Sequence, residues 1–323
     1  MEQKTLRIGA AVLVLALLLR LVGTREWGRQ ELAKTLLFFS TGRLISETIP
    51  PQTEEAVEET VAKASEELPE EAATVPVFGE GDAALVQVSG REVDIPALLQ
   101  APLQWDLTAD KPTVLILHTH ASESYEKEDA YTETAPYRTL DNRYNMVSIG
   151  ARVAQILEAG GIRVIHDETI HDYPSYNDAY DNSRQTIEKH LAENPQIALV
   201  LDLHRDASED ADGNQTSYGV TIGGESTANL MLVMGSDTWS LPYPNWERNL
   251  ALAVKLQASL EQMYPGLCRP VKLVDSRYNQ DLSEGTLLVE VGMAGNTHQE
   301  ALRAAELLAE GILSLAQGAN FSV

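Results

Sequence analysis

The chain has 323 residues, with 48 acidic against 24 basic side chains and a formal net charge of −24. That balance argues against nucleic-acid binding, because neutralising phosphates takes a basic surface. A hydrophobic fraction of 44% beside 22% charged residues excludes wholesale disorder, and the single cysteine, Cys268, excludes an intramolecular disulfide framework and any multi-cysteine zinc or iron–sulfur site.

Residues 8–19, IGAAVLVLALLL, carry no charge and follow Lys4 and Arg7. The run falls short of the about 20 apolar residues of a full crossing, but it fits the hydrophobic part of an export signal. No small-x-small cleavage site is evident in the LVGTREW that follows, and Arg20 can snorkel to the interface. Residues 1–24 are therefore expected to be an N-terminal membrane anchor or signal. Positive charge ahead of the apolar run places the bulk of the chain outside the cytoplasm. Residues 25–49 form a membrane-proximal segment with a second apolar patch at 32–45. Residues 50–75, rich in Glu, Pro and Ala, have little to bury and repel one another, which predicts an acidic flexible linker. Residues 76–110 read as a pre-domain segment, and 111–323 as the catalytic domain.

Within 111–323, strand-like and helix-like segments alternate. The runs at 113–117, 162–165, 197–203, 218–222, 230–234 and 286–291 predict strands. Helical periodicity covers 145–159, 176–191, 245–263 and 298–315, the first stopping at Gly160-Gly161. Strands separated by helices of this length predict an α/β fold, a mostly parallel twisted sheet with helices on both faces. In such sheets ligands bind at the carboxyl ends of the strands.

Three apolar strands carry reactive groups at or near those ends. TVLIL runs into His118-Thr119-His120-Ala121-Ser122-Glu123, IALVLDL into His204-Arg205-Asp206, and TLLVEVG contains Glu290. His120, Glu123 and His204 together offer two nitrogens and one oxygen, with a coordination position left for water, which is the donor set of a catalytic zinc site. Asp141, ahead of the next helix, is the alternative carboxylate ligand. A carboxylate inside an apolar strand is costly unless it is paired or functional, so Glu290 is the candidate general base. Arg205 is placed to orient His204 or to meet a charged substrate group, and the polar loop Arg277-Tyr278-Asn279-Gln280-Asp281 is a candidate cleft lining. His118 reads as a supporting residue, while His166, His171, His190 and His298 receive no role. No G-x-S-x-G and no G-x-x-x-x-G-K-[ST] is present.

The ordered blocks LHTHASESY, NMVSIGARVAQILEAGGIRVIHDE, VLDLHRDA, SRYNQDLS and LLVEVGMAGNTHQEA resemble the stage II sporulation protein P family, over residues 111 to the C-terminus. That family is similar in fold and metal site to the zinc-dependent N-acetylmuramoyl-L-alanine amidases. The resemblance implies a membrane-anchored, extracytoplasmic peptidoglycan hydrolase acting in forespore engulfment. It would cleave the amide between N-acetylmuramic acid and L-alanine, with endopeptidase activity also credited to the family. The implied partners are the stage II sporulation proteins D and M. The implied site is Zn2+ on His120 and His204 with Glu290 catalytic and Arg205 assisting at the oxyanion. The middle ligand is Glu123 by the HxxE spacing or Asp141 by analogy with the amidases. Two rival readings are a catalytically inert scaffold binding cell wall or partners, and a zinc carboxypeptidase or endopeptidase on stem peptides.

Overall fold

A computed structural model describes residues 85–87, 91–103, 106–107, 109–127, 131–237 and 242–318. All lie in one compact unit spanning 71–323. The expected anchor, membrane-proximal segment and acidic linker fall outside the described residues. Among the described residues, no helix is long and apolar enough to cross a membrane.

In chain order the elements are β1 (Leu85–Gln87), α1 (Ile95–Gln100), β2 (Val114–Leu117), α2 (Met146–Ala159), β3 (Val164–His166), α3 (Ala179–Glu193), β4 (Leu199–Asp206), β5 (Gly219–Ile222), β6 (Glu225–Ala228), β7 (Leu230–Gly235), α4 (Trp246–Met263), β8 (Val271–Val274), a 3-10 turn (Gln280–Leu282), β9 (Thr286–Met293) and α5 (His298–Ala316). Seven strands form one sheet in the order β1-β8-β7-β9-β4-β2-β3, while β5 and β6 make a separate hairpin. All neighbours in the sheet are parallel except β7 and β9, which are antiparallel. The mostly parallel sheet expected from the sequence is therefore present, with one reversal at its centre. The expected strand at 218–222 belongs to the hairpin instead. The sheet also reaches back past residue 111: β1 pairs with β8, and Lys255 of α4 donates to the Leu99 carbonyl, so part of the pre-domain segment is built into the domain.

The central strands read as apolar runs because both faces are covered. Leu199, Leu201 and Leu203 of β4 and Leu287, Val289 and Val291 of β9 join the main core under α2, α4 and α5. Alternate residues face the other way, where Leu115, Leu117 and Val200 pack with Ile187 of α3. α2 starts because the Asn145 side chain accepts from the Val147 N–H, and it stops at Gly160, followed by Gly161 with φ 90°. α5 opens with a capping box between Thr297 and Glu300.

Leu201 is fully buried at the middle of β4. Leu201→Ala is expected to lower unfolding free energy by about 2–5 kcal/mol through lost burial and a residual cavity. Denaturant titration of both proteins checks this.

Candidate metal centre

β2, β4 and β9 are adjacent and parallel, so their carboxyl ends meet at one sheet edge. His204 and Glu290 are direct register partners, and the ladder shifts between His204 and Asp206. The turn after β2 brings His120 and Glu123 to the same place. His120, Glu123 and His204 are all buried, and each offers one ligand atom within 4.8 Å of the others. His120 Nδ1 lies 3.6 Å from Glu123 Oε1, and His204 Nδ1 lies 3.8 Å from Glu123 Oε2. Two imidazole nitrogens and a carboxylate oxygen converging this way fit a zinc ion by geometry and by donor chemistry.

The electrostatics point the same way. Burial opposes charging His204, but Asp202, Glu123 and Glu290 outweigh it and push the imidazole up to about 10. Negative charge thus surrounds His204 on several sides. Burial likewise opposes ionisation of Glu123, yet Arg205, His120 and His204 hold its carboxyl down to about 2, in the form a ligand needs. Glu290 goes the other way. Burial, reinforced by Glu123 and Asp206 and opposed by His204 and Arg205, raises it to about 8. Its Oε2 is buried without a hydrogen-bond partner, which is a free carboxylate oxygen beside the histidine–glutamate group.

Asp202 supports His204 from behind: its Oδ1 lies 3.0 Å from His204 Nε2, leaving Nδ1 for the cluster. The Thr119 N–H and hydroxyl donate to the two Asp202 oxygens at 2.7 and 2.6 Å. A carboxylate behind a ligating imidazole fixes its tautomer and orientation. The only signal for Asp202 in the sequence is its place two residues before His204 and so, by strand alternation, on the same face. Arg138 has no such signal. It reaches Asp172 at 3.1 Å and Glu123 at 3.7 Å and lies 4.2 Å from the centre of the Tyr176 ring, which stacks on His120. Nothing local marks a loop arginine for that role.

Two expected site residues lie elsewhere. Asp141 is not in the cluster, because Oδ1 accepts from the Arg143 N–H and Nε and Oδ2 from Nη2. Arg205 is turned to the face opposite His204 by strand alternation. Its guanidinium donates to the Ser124 and Tyr137 carbonyls, and its own N–H to Glu123 Oε2. It therefore positions the Glu123 turn. His118 is supporting, as expected: burial and His166 hold it down to about 3. Neutral, it donates from Nδ1 to the Leu203 carbonyl and accepts at Nε2 from His166. Gly150 of α2 lies directly above this pair; a Cβ there would come within 2.5 Å of both rings.

The polar loop reaches α3 through Tyr278, whose ring centre lies 5.7 Å from that of Tyr180. Asn279, with φ 56°, donates to the Tyr180 carbonyl and to Ser183 Oγ, tying the loop to the start of α3. Burial, with Asp202, Tyr278, Glu290 and Glu123, keeps the Tyr180 phenol protonated.

Comparison with known proteins decides the family. The family model of stage II sporulation protein P matches residues 36–313. The chain belongs to the stage II sporulation protein P family. It is 33% identical over 216 residues to stage II sporulation protein P of Bacillus subtilis (strain 168), covering 63% of this chain and 51% of that protein, so it spans about half the length of that curated relative. Among solved structures, it is similar to the CwlD amidase of Clostridioides difficile, solved in complex with the GerS lipoprotein, with TM-score 0.39 and 14% identity over 64% of this chain and 100% of that one. It is also similar to the N-acetylmuramoyl-L-alanine amidase AmiC2 of Nostoc punctiforme, with TM-score 0.34 and 14% identity over 63% and 96%. Membership of the sporulation family rests on the sequence match, not on these structural likenesses.

Asp202→Asn is expected to weaken zinc binding about 10–100-fold with the fold intact, and His204→Ala to abolish it. Chelator competition on the purified proteins measures both.

Proposed function

We propose that the chain is a zinc-dependent peptidoglycan hydrolase of sporulation, cleaving the amide between N-acetylmuramic acid and the L-alanine of the stem peptide. The observation that carries this reading is the buried His120–Glu123–His204 group with the unpartnered Glu290 oxygen beside it, in a chain of the stage II sporulation protein P family. Membrane attachment through residues 1–24, an extracytoplasmic position between the membranes of the sporulating cell, and work in engulfment beside the stage II sporulation proteins D and M belong to the same proposal.

His120, Glu123 and His204 would hold the ion, with Asp202 and Arg205 fixing the second histidine and the glutamate. When bound, zinc supplies a Lewis acid that polarises the scissile carbonyl and lowers the pKa of a hydrolytic water. Glu290 takes one proton from the attacking water, whose oxygen bonds to the carbonyl carbon. Glu290 then returns that proton to the amide nitrogen as the C–N bond breaks. The lactyl side leaves as a carboxylic acid and alanine as a free amine, so one water is consumed per bond cut. A carboxyl whose proton affinity is raised into the neutral range by burial can both accept and release a proton.

Two measurements test this reading. Purified peptidoglycan digested with the zinc-loaded full chain, alone and with stage II sporulation protein D, is expected to release stem peptides with N-terminal L-alanine, identified by mass. Opened cross-links alone would move the assignment to an endopeptidase, and no products from a zinc-loaded protein would favour the scaffold. Glu290→Ala is expected to keep its zinc and lose at least 100-fold in turnover, on the order of the general-base contribution; wild-type turnover would remove it as the base.

A further inference from the structure

We infer that the Tyr180 hydroxyl is the hydrogen-bond donor to the scissile carbonyl oxygen as negative charge develops on it. This rests on the hydrolase reading above. Attack of water moves the C=O electron pair onto oxygen, and a hydrogen-bond donor there, beside the metal, lowers the barrier further.

Several donors stand near the cluster: Tyr125 donates to the Val291 carbonyl, and Tyr176, although its ring stacks on His120, is exposed and borders that histidine alone of the two. Arg205 is spent on the Ser124 and Tyr137 carbonyls. Arg138 is held by Asp172 and Glu123. The Tyr278 ring packs on Tyr180, with centres 5.7 Å apart. Tyr180 is different: it has ring contacts with both candidate histidines, and among the described residues its hydroxyl has no hydrogen-bond partner. Its ring stands edge-on to His120, with centres 5.5 Å apart, and nearly parallel to His204, at 6.5 Å. It thus borders both candidate ligands on the side that faces α3. A half-buried hydroxyl beside both candidate ligands, with no protein partner, is free to meet a group that arrives with the substrate.

The surroundings hold the ring still. Asn279 donates to the Tyr180 carbonyl, and through Ser183 Oγ the same segment is joined to Thr119 and so to Asp202. A donor fixed before the reaction needs no reorganisation as charge appears, which is the condition for a large effect.

The test is Tyr180→Phe in the zinc-loaded full chain, because phenylalanine keeps the ring contacts and removes only the hydroxyl. Three quantities are read: zinc affinity by chelator competition, kcat and KM on a muramoyl-L-alanine substrate, and affinity for a phosphinate isostere of that amide. Expected are a kcat lowered about 10²–10³-fold, an unchanged KM, unchanged zinc affinity, and phosphinate binding weakened by a similar factor. Wild-type kcat and phosphinate affinity in the variant overturn the inference while leaving the hydrolase reading standing. Loss of zinc in parallel with activity also overturns it, because Tyr180 would then be a support for the ligands. A zinc-loaded wild type that neither cleaves the substrate nor binds the phosphinate overturns the hydrolase reading, and this inference with it.

Discussion

Parallel pairing of β2, β4 and β9 is the constraint on which the site depends. Each strand is apolar along most of its length, and each carries its ionisable group at or just past its carboxyl end. In parallel register those ends coincide, so groups separated by 84 residues, from His120 to His204, and by 86, from His204 to Glu290, reach one another without any long loop carrying them. The reversal between β7 and β9 lies on the far side of β9 and leaves these three strands undisturbed. Strand alternation does the sorting: Asp202 and His204 face α3, while Arg205 turns to the opposite side and braces the loop that presents Glu123.

The price of this arrangement is a buried cluster of Asp202, Glu123 and Glu290 around one imidazole. Three carboxylates out of water repel each other and lose hydration, which a fold tolerates only with compensating positive charge or hydrogen bonds. Asp202 is satisfied by the Thr119 N–H and hydroxyl, with His204 Nε2 3.0 Å away, and Glu123 by the Arg205 N–H with Arg138 nearby. Glu290 Oε2 is left over. An unsatisfied carboxylate next to two histidines and a glutamate is hard to explain as a stability device, and straightforward as a proton carrier beside a cation.

Much of this was legible in the sequence because the physics was local. TVLIL, IALVLDL and TLLVEVG stand out as doubly covered strands, and His120, His204 and Glu290 stand out as the groups that do not belong in them. The Gly160-Gly161 stop and the helix of 145–159 followed from periodicity. What escaped depended on long-range geometry. β8 is four residues containing a lysine, too short to show a pattern, and β1 and β6 are no longer. β7 runs antiparallel to β9, a direction its composition does not carry. The HxxE spacing and the longer side chain favour Glu123 over Asp141, and the pairing of Asp141 with Arg143, two residues on, takes Asp141 out. Tyr180 and Arg138 reach the site from a helix start and a loop, where no spacing rule applies.

The most direct test of the account is an anomalous-difference map at the zinc edge from crystals of the zinc-loaded full chain. The account predicts one peak bounded by His120, Glu123 and His204 Nδ1, with Asp202 still behind His204 and Glu290 beside the ion without ligating it. A peak on other residues, or a well-ordered His120–Glu123–His204 group with no peak at saturating zinc, would contradict it.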